Sequence, residues 1–435
     1  MSGYAAFLER KDRTVVRVGR EADPSAVHSM LHEWQARITS WAVDQGRAAI
    51  WADTGMGKTF MQIEWARLSA DRSLIVAPLA VCHQTVAEAA KLGITARYAR
   101  NDSEAQGPGM YVTNYERVAA FDPDGFGAVV LDEASILKQS DGKTRTMLIE
   151  HFAGVRARLA CTATPAPNDI EELTSQAEFL GIATRTEMLA AYFVHDDTGW
   201  RPKGHAGPAM FRWMSKWAVA LRKPSDLGWP DDGYILPGLE IVPVIVHHER
   251  EAEGQLFATD LGGVGGRAKI RKDTLAARVD AAVRLVEAEP DEPWLLWCGL
   301  NAEAEALARA IPGSVNVHGG LTAEEKADHL LGFANGDVKC LITKPSIAAF
   351  GLNWQICARM AFVGLSDSYE SYYQAIRRCY RYGQTRVVRA HIVLSDAESQ
   401  IASNVARKER DADLIHEGLV AQMRLTGTIH KENAA

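Results

Sequence analysis

The sequence predicts an α/β fold of two tandem domains, each a parallel sheet flanked by helices. Three observations carry this expectation. The chain has 435 residues, more than one compact core usually serves and enough for two domains of roughly 200 residues each. Hydrophobic residues make up 47% of it, so sizeable cores can form and global disorder is excluded. Short apolar runs alternate with longer amphipathic ones in two successive series, the pattern of buried parallel strands covered by helices.

In the first series AAIWA (48–52), LIVAP (74–78), MYVTN (110–114), AVVLD (128–132) and RLACT (158–162) read as buried strands. KTFMQIEWARLSA and KTRTMLIEHFAG, between them, read as helices. In the second series the strands are WLLWC (294–298), SVNVH (314–318), KCLIT (339–343), RMAFVG (359–364) and VVRAHIVL (387–394). NAEAEALARAI and TAEEKADHLLGFANG are the helices that separate them. Residues 182–240 break the pattern with four tryptophans, several prolines and many basic residues, and AMFRWMSKWAVALRK within them has helical spacing. The expected organisation is therefore a first domain over 1–181, a helical, basic and Trp-rich insertion over 182–240, and a second domain with a C-terminal helix over 241–435. No short-period repeat is present, which excludes a solenoid.

Six cysteines (Cys82, Cys161, Cys298, Cys340, Cys357, Cys379) are scattered singly, with no C-x-x-C pair and no Cys/His cluster. This argues against a zinc site or a disulfide framework, and their apolar neighbours point to buried free thiols in a reducing cytoplasm. The N-terminal stretch has no long apolar run of a secretory signal. No segment approaches the ~20 apolar residues that span a bilayer, so a cytoplasmic protein without membrane contact is expected. The net charge of −7 does not exclude a nucleic-acid partner, because binding depends on where charge sits. Lys and Arg outnumber Asp and Glu by seven to three between Arg185 and Lys223, and by six to two in both 267–284 and 359–389. Each strip is a candidate contact surface or a solvated face.

ADTGMGKT (52–59) follows the strand AAIWA and opens a helix, the context a phosphate loop requires. Gly55 and Gly57 let the backbone approach phosphates, whose charge faces the helix N-terminus. Thr54, Gly55, Met56, Gly57, Lys58 and Thr59 form the candidate nucleotide loop, with Lys58 reaching the β- and γ-phosphates and the Thr59 hydroxyl reaching Mg²⁺. LDEAS (131–135) ends a buried strand, where an open α/β sheet places ligand chemistry. There Asp132 would hold Mg²⁺ through water, and Glu133 would orient and polarise the attacking water.

At these residues the chain resembles the Swi/Snf-like ATPases of helicase superfamily two. ADTGMGKT resembles motif I and LDEASILK motif II, with Ser135 where many relatives carry His. LHEWQ (31–35) resembles the adenine-recognition motif, and the Gln35 amide can pair with an adenine edge. LIVAPLAV (74–81) resembles motif Ia and VTNYE (112–116) motif Ib, both of which face nucleic acid in the family. CTATPAPND (161–169) resembles motif III, which implies that Thr162 and Thr164 couple the γ-phosphate to domain motion. LLWCGLN (295–301) resembles motif IV. AAFGLNWQ (348–355) resembles motif V, with Gly351 and Asn353 as its coupling residues. QAIRRCYRYGQ (374–384) keeps the whole Q-x-x-x-R-x-x-R-x-G-Q frame of motif VI, beginning at Gln374, with Arg377 where an acidic residue is usual. Arg378 and Arg381, one turn apart, are expected on one helix face, and the resemblance implies that they are arginine fingers entering the ATP site from the second domain.

The resemblance covers roughly residues 30–400 and implies two tandem RecA-like domains. It also implies ATP and Mg²⁺ as cofactors and a DNA-dependent ATPase that moves along duplex DNA. The compact form, with a basic insertion between motifs III and IV, is most similar to small helicase-like ATPases of phages and prophages. Arg212, Lys216, Arg222 and Lys223 of that insertion are candidate DNA contacts. A strand-separating or branch-migrating helicase would share every motif, and an inactive ATPase kept as a DNA-binding module is a further alternative. Against the last stand the intact Lys58, Asp132, Glu133, Arg378 and Arg381. No nuclease motif is present, so a nuclease, or a replication or recombination protein, would act in trans.

Overall fold

A computed structural model describes residues 14–138, 142–197, 199–204, 206–247, 272–347, 353–364, 368–395, 399–427 and 429. The chain divides into two compact units, Met1–Tyr234 with Arg410–Ala435, and Ile235–Glu409.

In the first unit the strands are β1 (Arg47–Ala52), β2 (Arg72–Ala77), β3 (Ala96–Tyr98), β4 (Gly109–Asn114), β5 (Ala128–Asp132) and β6 (Ala157–Cys161). A separate antiparallel hairpin, β7 (Phe193–Asp196) and β8 (Gly199–Pro202), precedes β9 (Ala218–Leu221). The main sheet runs β3-β4-β2-β5-β6-β1-β9, with every neighbouring pair parallel. Its helices are α1 (Glu33–Gln45), α2 (Lys58–Ser69), α3 (Leu79–Lys91), α4 (Lys143–His151), α5 (Leu173–Phe179), α6 (Arg185–Tyr192) and α7 (Gly207–Met214). All five strands expected from the first apolar series are present to within two residues. They are buried along nearly their whole length, as strands covered on both faces must be.

Helical spacing through AMFRWMSKWAVALRK holds only to Met214; from Ala218 the chain is strand β9. The cause is tertiary. β1 would otherwise end the sheet with bare backbone groups, and β9 satisfies them, beginning with Ala49 N–H to Trp217 O at 2.8 Å. Trp217 packs edge-on against Trp51 and Trp213, and Trp213, Trp217 and Trp229 are all buried in the core. These aromatics are structural. Residues 410–435, expected with the second domain, group with the first unit. Ile415, Leu419 and Met423 join its core, His416 lies 3.2 Å from Asp226, and Arg424 donates to the Ser225 and Asp226 carbonyls.

The second unit holds β10 (Leu239–Val246), β11 (Trp294–Trp297), β12 (Val315–Val317), β13 (Cys340–Thr343), β14 (Arg359–Phe362) and β15 (Val388–Ser395). They form an all-parallel sheet in the order β10-β15-β14-β11-β13-β12. Its helices are α8 (Leu275–Ala288), α9 (Asn301–Ala310), α10 (Ala323–Asn335) and α11 (Tyr369–Ile376), while α12 (Ser399–Thr426) spans the point where the units divide. The core gathers Val279, Trp294, Leu296, Leu307, Ile342 and Val363. A fully buried ion pair sits beside it, Arg278 NH1 to Glu303 Oε1 at 2.6 Å. Arg278 is therefore not part of any contact surface, although it falls in the basic strip 267–284; Arg267, Lys269 and Arg271 of that strip lie outside the described residues. Each unit is thus a parallel sheet with helices packed on it, the two-domain α/β architecture expected. All six cysteines are buried and free. Among the described residues no helix is long and apolar enough to cross a membrane.

Candidate nucleotide site

The C-terminal ends of β1, β5 and β6 are adjacent in the first sheet, and the candidate residues gather there. The loop after β1 turns through Gly55 (φ 85°) and Gly57 (φ 75°) into α2, with Met56 N–H bonded to Asp53 O at 3.2 Å. Gly57 is required twice over. Its left-handed backbone disfavours other residues, and a Cβ there would collide with the Gln35 amide. The loop is braced from both sides. Asp53 N–H donates to Leu221 O of β9 at 2.9 Å, and Gln35 Nε2 donates to Met56 O at 3.0 Å.

Gln35 itself is buried, and its Oε1 accepts the His32 N–H at 2.8 Å. One bond at each end of an amide leaves one donor and one acceptor position. The candidate adenine reader is thus also a strut under the candidate phosphate loop. Lys58 Nζ donates to the carbonyls of Ala52 at 2.6 Å and Asp53 at 3.3 Å, inside the curve of the loop. Thr54 is held by Asp53, whose Oδ1 accepts its N–H at 2.6 Å, and Thr59 is half-buried at the start of α2.

Asp132 ends β5. Burial pushes its carboxyl above the usual range, and the Gln62 amide and the Lys58 charge oppose that rise. Gln62 Nε2 reaches Asp132 Oδ1 at 2.8 Å. A buried carboxylate so incompletely compensated suits a divalent cation. Mg²⁺ commonly takes one or two protein oxygens and completes its shell with phosphates and water, and the Thr59 hydroxyl and Asp132 carboxylate are oxygen donors of that kind. Among the described residues no cluster of three or more His, Cys, Asp or Glu could hold a metal by itself. Glu133, the next residue, has φ 59°. A non-glycine residue held there costs about 1–3 kcal/mol, a strain typical of functional sites. Its Oε2 accepts the Thr162 hydroxyl at 3.2 Å, and Thr162 Oγ1 in turn accepts Thr164 N–H at 3.1 Å. Motifs II and III are thereby joined side chain to side chain.

In the second unit, helix α11 ends at Ile376, and residues 377–383 form turns. Arg378 and Arg381 therefore do not stand on one regular helix face. Continuing the helix would use the Arg378 and Cys379 carbonyls, but both are already taken. Trp354 N–H donates to Arg378 O at 2.9 Å, and buried Gln384 donates Nε2 to Cys379 O at 3.1 Å and Cys357 O at 3.0 Å. Arg378, Arg381 and Gln374 are half-buried, and Asn353 is exposed. Gly351 lies outside the described residues. Arg377 stacks over Tyr373 and Tyr380 at 5.0 and 5.2 Å. The loop of motif IV is held by Glu303, whose Oε2 accepts Gly299 and Leu300 N–H at 2.8 and 2.9 Å.

Residues 26–193 match the SNF2-related domain, and residues 277–383 match the helicase conserved C-terminal domain. The chain is an SNF2-related, DNA-dependent ATPase of helicase superfamily two. No curated protein matches it. Among solved structures it is similar to the Sulfolobus solfataricus SWI2/SNF2 ATPase core in complex with dsDNA, at 18% identity and a TM-score of 0.45 over 92% of this chain and 96% of that one.

The geometry of this SNF2-related ATPase adds residues that its sequence did not single out. Gln62 lies four residues after Lys58, on the same face of α2, and that spacing was the available signal. Gln384 closes the motif VI frame and pins its turn. The bond from Tyr115 to the Asp132 carbonyl, 2.6 Å long, had no sequence signal. The candidate DNA contacts separate. Arg212 is exposed and Lys216 half-buried. Arg222 pairs with Asp413 at 2.6 Å, and exposed Lys223 lies 3.8 Å from Asp231.

Proposed function

We propose that this ATPase is a motor that couples ATP hydrolysis to movement along double-stranded DNA. The observation that carries the reading is the assembly of Lys58, Asp132, Glu133 and Thr162 at adjoining strand ends, with Glu133 in a strained backbone and bonded to Thr162. An inactive descendant has no reason to retain that strain.

In this reading Lys58 exchanges the Ala52 and Asp53 carbonyls for the β- and γ-phosphates. The backbone N–H groups at the start of α2 add a favourable dipole. Thr59 and Asp132 hold Mg²⁺, which when bound neutralises phosphate charge. Gln35 reads adenine. Glu133 orients and polarises the attacking water, its carboxylate aimed by Thr162. Arg378 and Arg381 bring guanidinium charge to the transferring phosphoryl group, and Thr164, Gly351, Asn353 and Gln374 link nucleotide state to motion. Movement follows if the ATP-bound and product states differ in affinity for DNA. The SNF2-related domain match and the intact motif VI frame support duplex tracking over strand separation.

The test is ATP turnover with single-stranded, duplex and branched DNA and with RNA, alongside Lys58→Ala as the hydrolysis-dead control. Duplex DNA is expected to stimulate most. Stronger stimulation by single strands would favour a strand-separating helicase, and undiminished turnover in Lys58→Ala would overturn the phosphate-loop assignment.

A further inference from the structure

We propose that Tyr115 is a positioning residue for the hydrolytic carboxylate: its phenol holds the strained peptide before Glu133 and ties it to the end of β4. The inference rests on the reading of Glu133 as the residue that polarises water.

Tyr115 is the first residue after β4 and is buried. Its hydroxyl donates to the Asp132 carbonyl at 2.6 Å. β4 and β5 are not neighbours, because β2 lies between them. Strands two apart are separated by roughly 10 Å, so the tyrosine crosses the C-terminal end of β2 to reach β5. A carbonyl oxygen can only accept, so the phenol is the donor.

The carbonyl it grips belongs to the peptide that joins Asp132 to Glu133. The orientation of that peptide sets φ of Glu133, which is 59°. A non-glycine residue stays in the left-handed region only where its surroundings hold it there. The far end of the same residue is held too, because Thr162 donates to its carboxylate at 3.2 Å. Glu133 is thus fixed at its backbone by Tyr115 and at its side chain by Thr162.

The anchor is itself tethered. Tyr98 donates to Asn114 Oδ1 at 2.8 Å, and the Asn114 amide bonds the Glu116 carboxylate. A displacement of the β4 end therefore reaches Glu133 through one buried hydrogen bond.

Tyr115→Phe removes the hydroxyl and keeps the ring in the core. Small displacements of a catalytic group cost up to about a hundredfold in rate, so DNA-stimulated kcat should fall by about tenfold or more. KM for ATP and fluorescent-ADP affinity should stay within about twofold, since Lys58 and Gln35 are untouched. In a Glu133→Gln background the same change should have no further effect in single-turnover experiments. A fall in melting temperature with kcat retained below the transition would overturn the proposal, as would an undiminished effect in the Glu133→Gln background. Wild-type turnover in Glu133→Gln alone would instead overturn the reading of Glu133.

Discussion

Glu133 carries the most consequential assignment at the scale of single residues. Glu133→Gln keeps the size and the bond to Thr162 but cannot act as a carboxylate toward water. Its ATP binding should persist while turnover drops by more than about tenfold, or roughly 1.4 kcal/mol of barrier. Equilibrium nucleotide binding beside steady-state hydrolysis checks this. Glu172, near the end of motif III, gives a pH prediction. Burial pushes its carboxyl up to about 7, although Asn168 donates to both of its oxygens. A folded-state value above the unfolded one means that the native chain holds the proton more tightly. The contribution to stability is then fully present below about 4.5 and is lost as pH rises through about 7. Urea melts across that window should show a decline on the order of 3 kcal/mol or less, and Glu172→Gln should flatten it. An equal slope in the variant would assign the decline to other groups.

At the scale of elements, the turn that follows α11 matters more than the helix. Arg378 and Arg381 are carried by a segment whose carbonyls are held by Trp354 and Gln384. Arg378→Ala and Arg381→Ala should each lose turnover, by on the order of a thousandfold if they act as arginine fingers. Nucleotide affinity should change little, because Gln35, Lys58 and Thr59 belong to the first unit. Lysine at either position should rescue poorly, since it lacks the planar fork. Near-normal DNA-stimulated turnover in both alanine variants would remove them from the chemistry. The Arg278–Glu303 pair makes a different prediction. Both side chains are fully buried, and Glu303 also accepts two backbone N–H groups. Breaking such a pair from one side costs about 3–5 kcal/mol. Glu303→Ala should therefore destabilise the second unit by that order, seen as an earlier transition in denaturant. Nucleotide binding to the first unit should be spared.

At the scale of the whole molecule, an acidic chain must concentrate its positive charge to hold DNA. Much of the apparent basic surface is already committed. Arg185 pairs with Glu171, Arg222 with Asp413, Arg359 with Glu289, Arg386 with Glu292 and Arg389 with Glu240. Each phosphate contact releases counterions and steepens the salt dependence of binding by about 0.9 log units per decade. Replacing the exposed Arg212 with Gln should flatten that slope, whereas Arg222→Gln should lower stability and leave the slope nearly unchanged. Equilibrium titrations at several salt concentrations decide between these outcomes. A slope unaltered by the Arg212 change would leave the segment with a packing role alone.

The fully buried strands and the phosphate loop were legible in the sequence because their signals are local. A parallel strand buried on both faces is an uninterrupted apolar run, and a loop that cradles phosphate needs glycines and a lysine at set spacing. Lys58, Asp132 and Glu133 could be proposed for that reason. What depended on partners distant along the chain was not legible. β9 is a strand because β1 needed a neighbour, although its residues scan as helix. The final residues return to the first unit because Ile415, Leu419 and Met423 find their apolar contacts there. Motif VI leaves the helix because Trp354 and Gln384 claim its carbonyls. Gln62, on helix α2, and Tyr115, just past β4, both bond Asp132, and no periodicity records a hydrogen bond between distant elements. Sequence alone determined which groups could do the chemistry. Tertiary structure decided how they are held, since backbone hydrogen bonds and buried charges are satisfied by whichever groups the fold brings near.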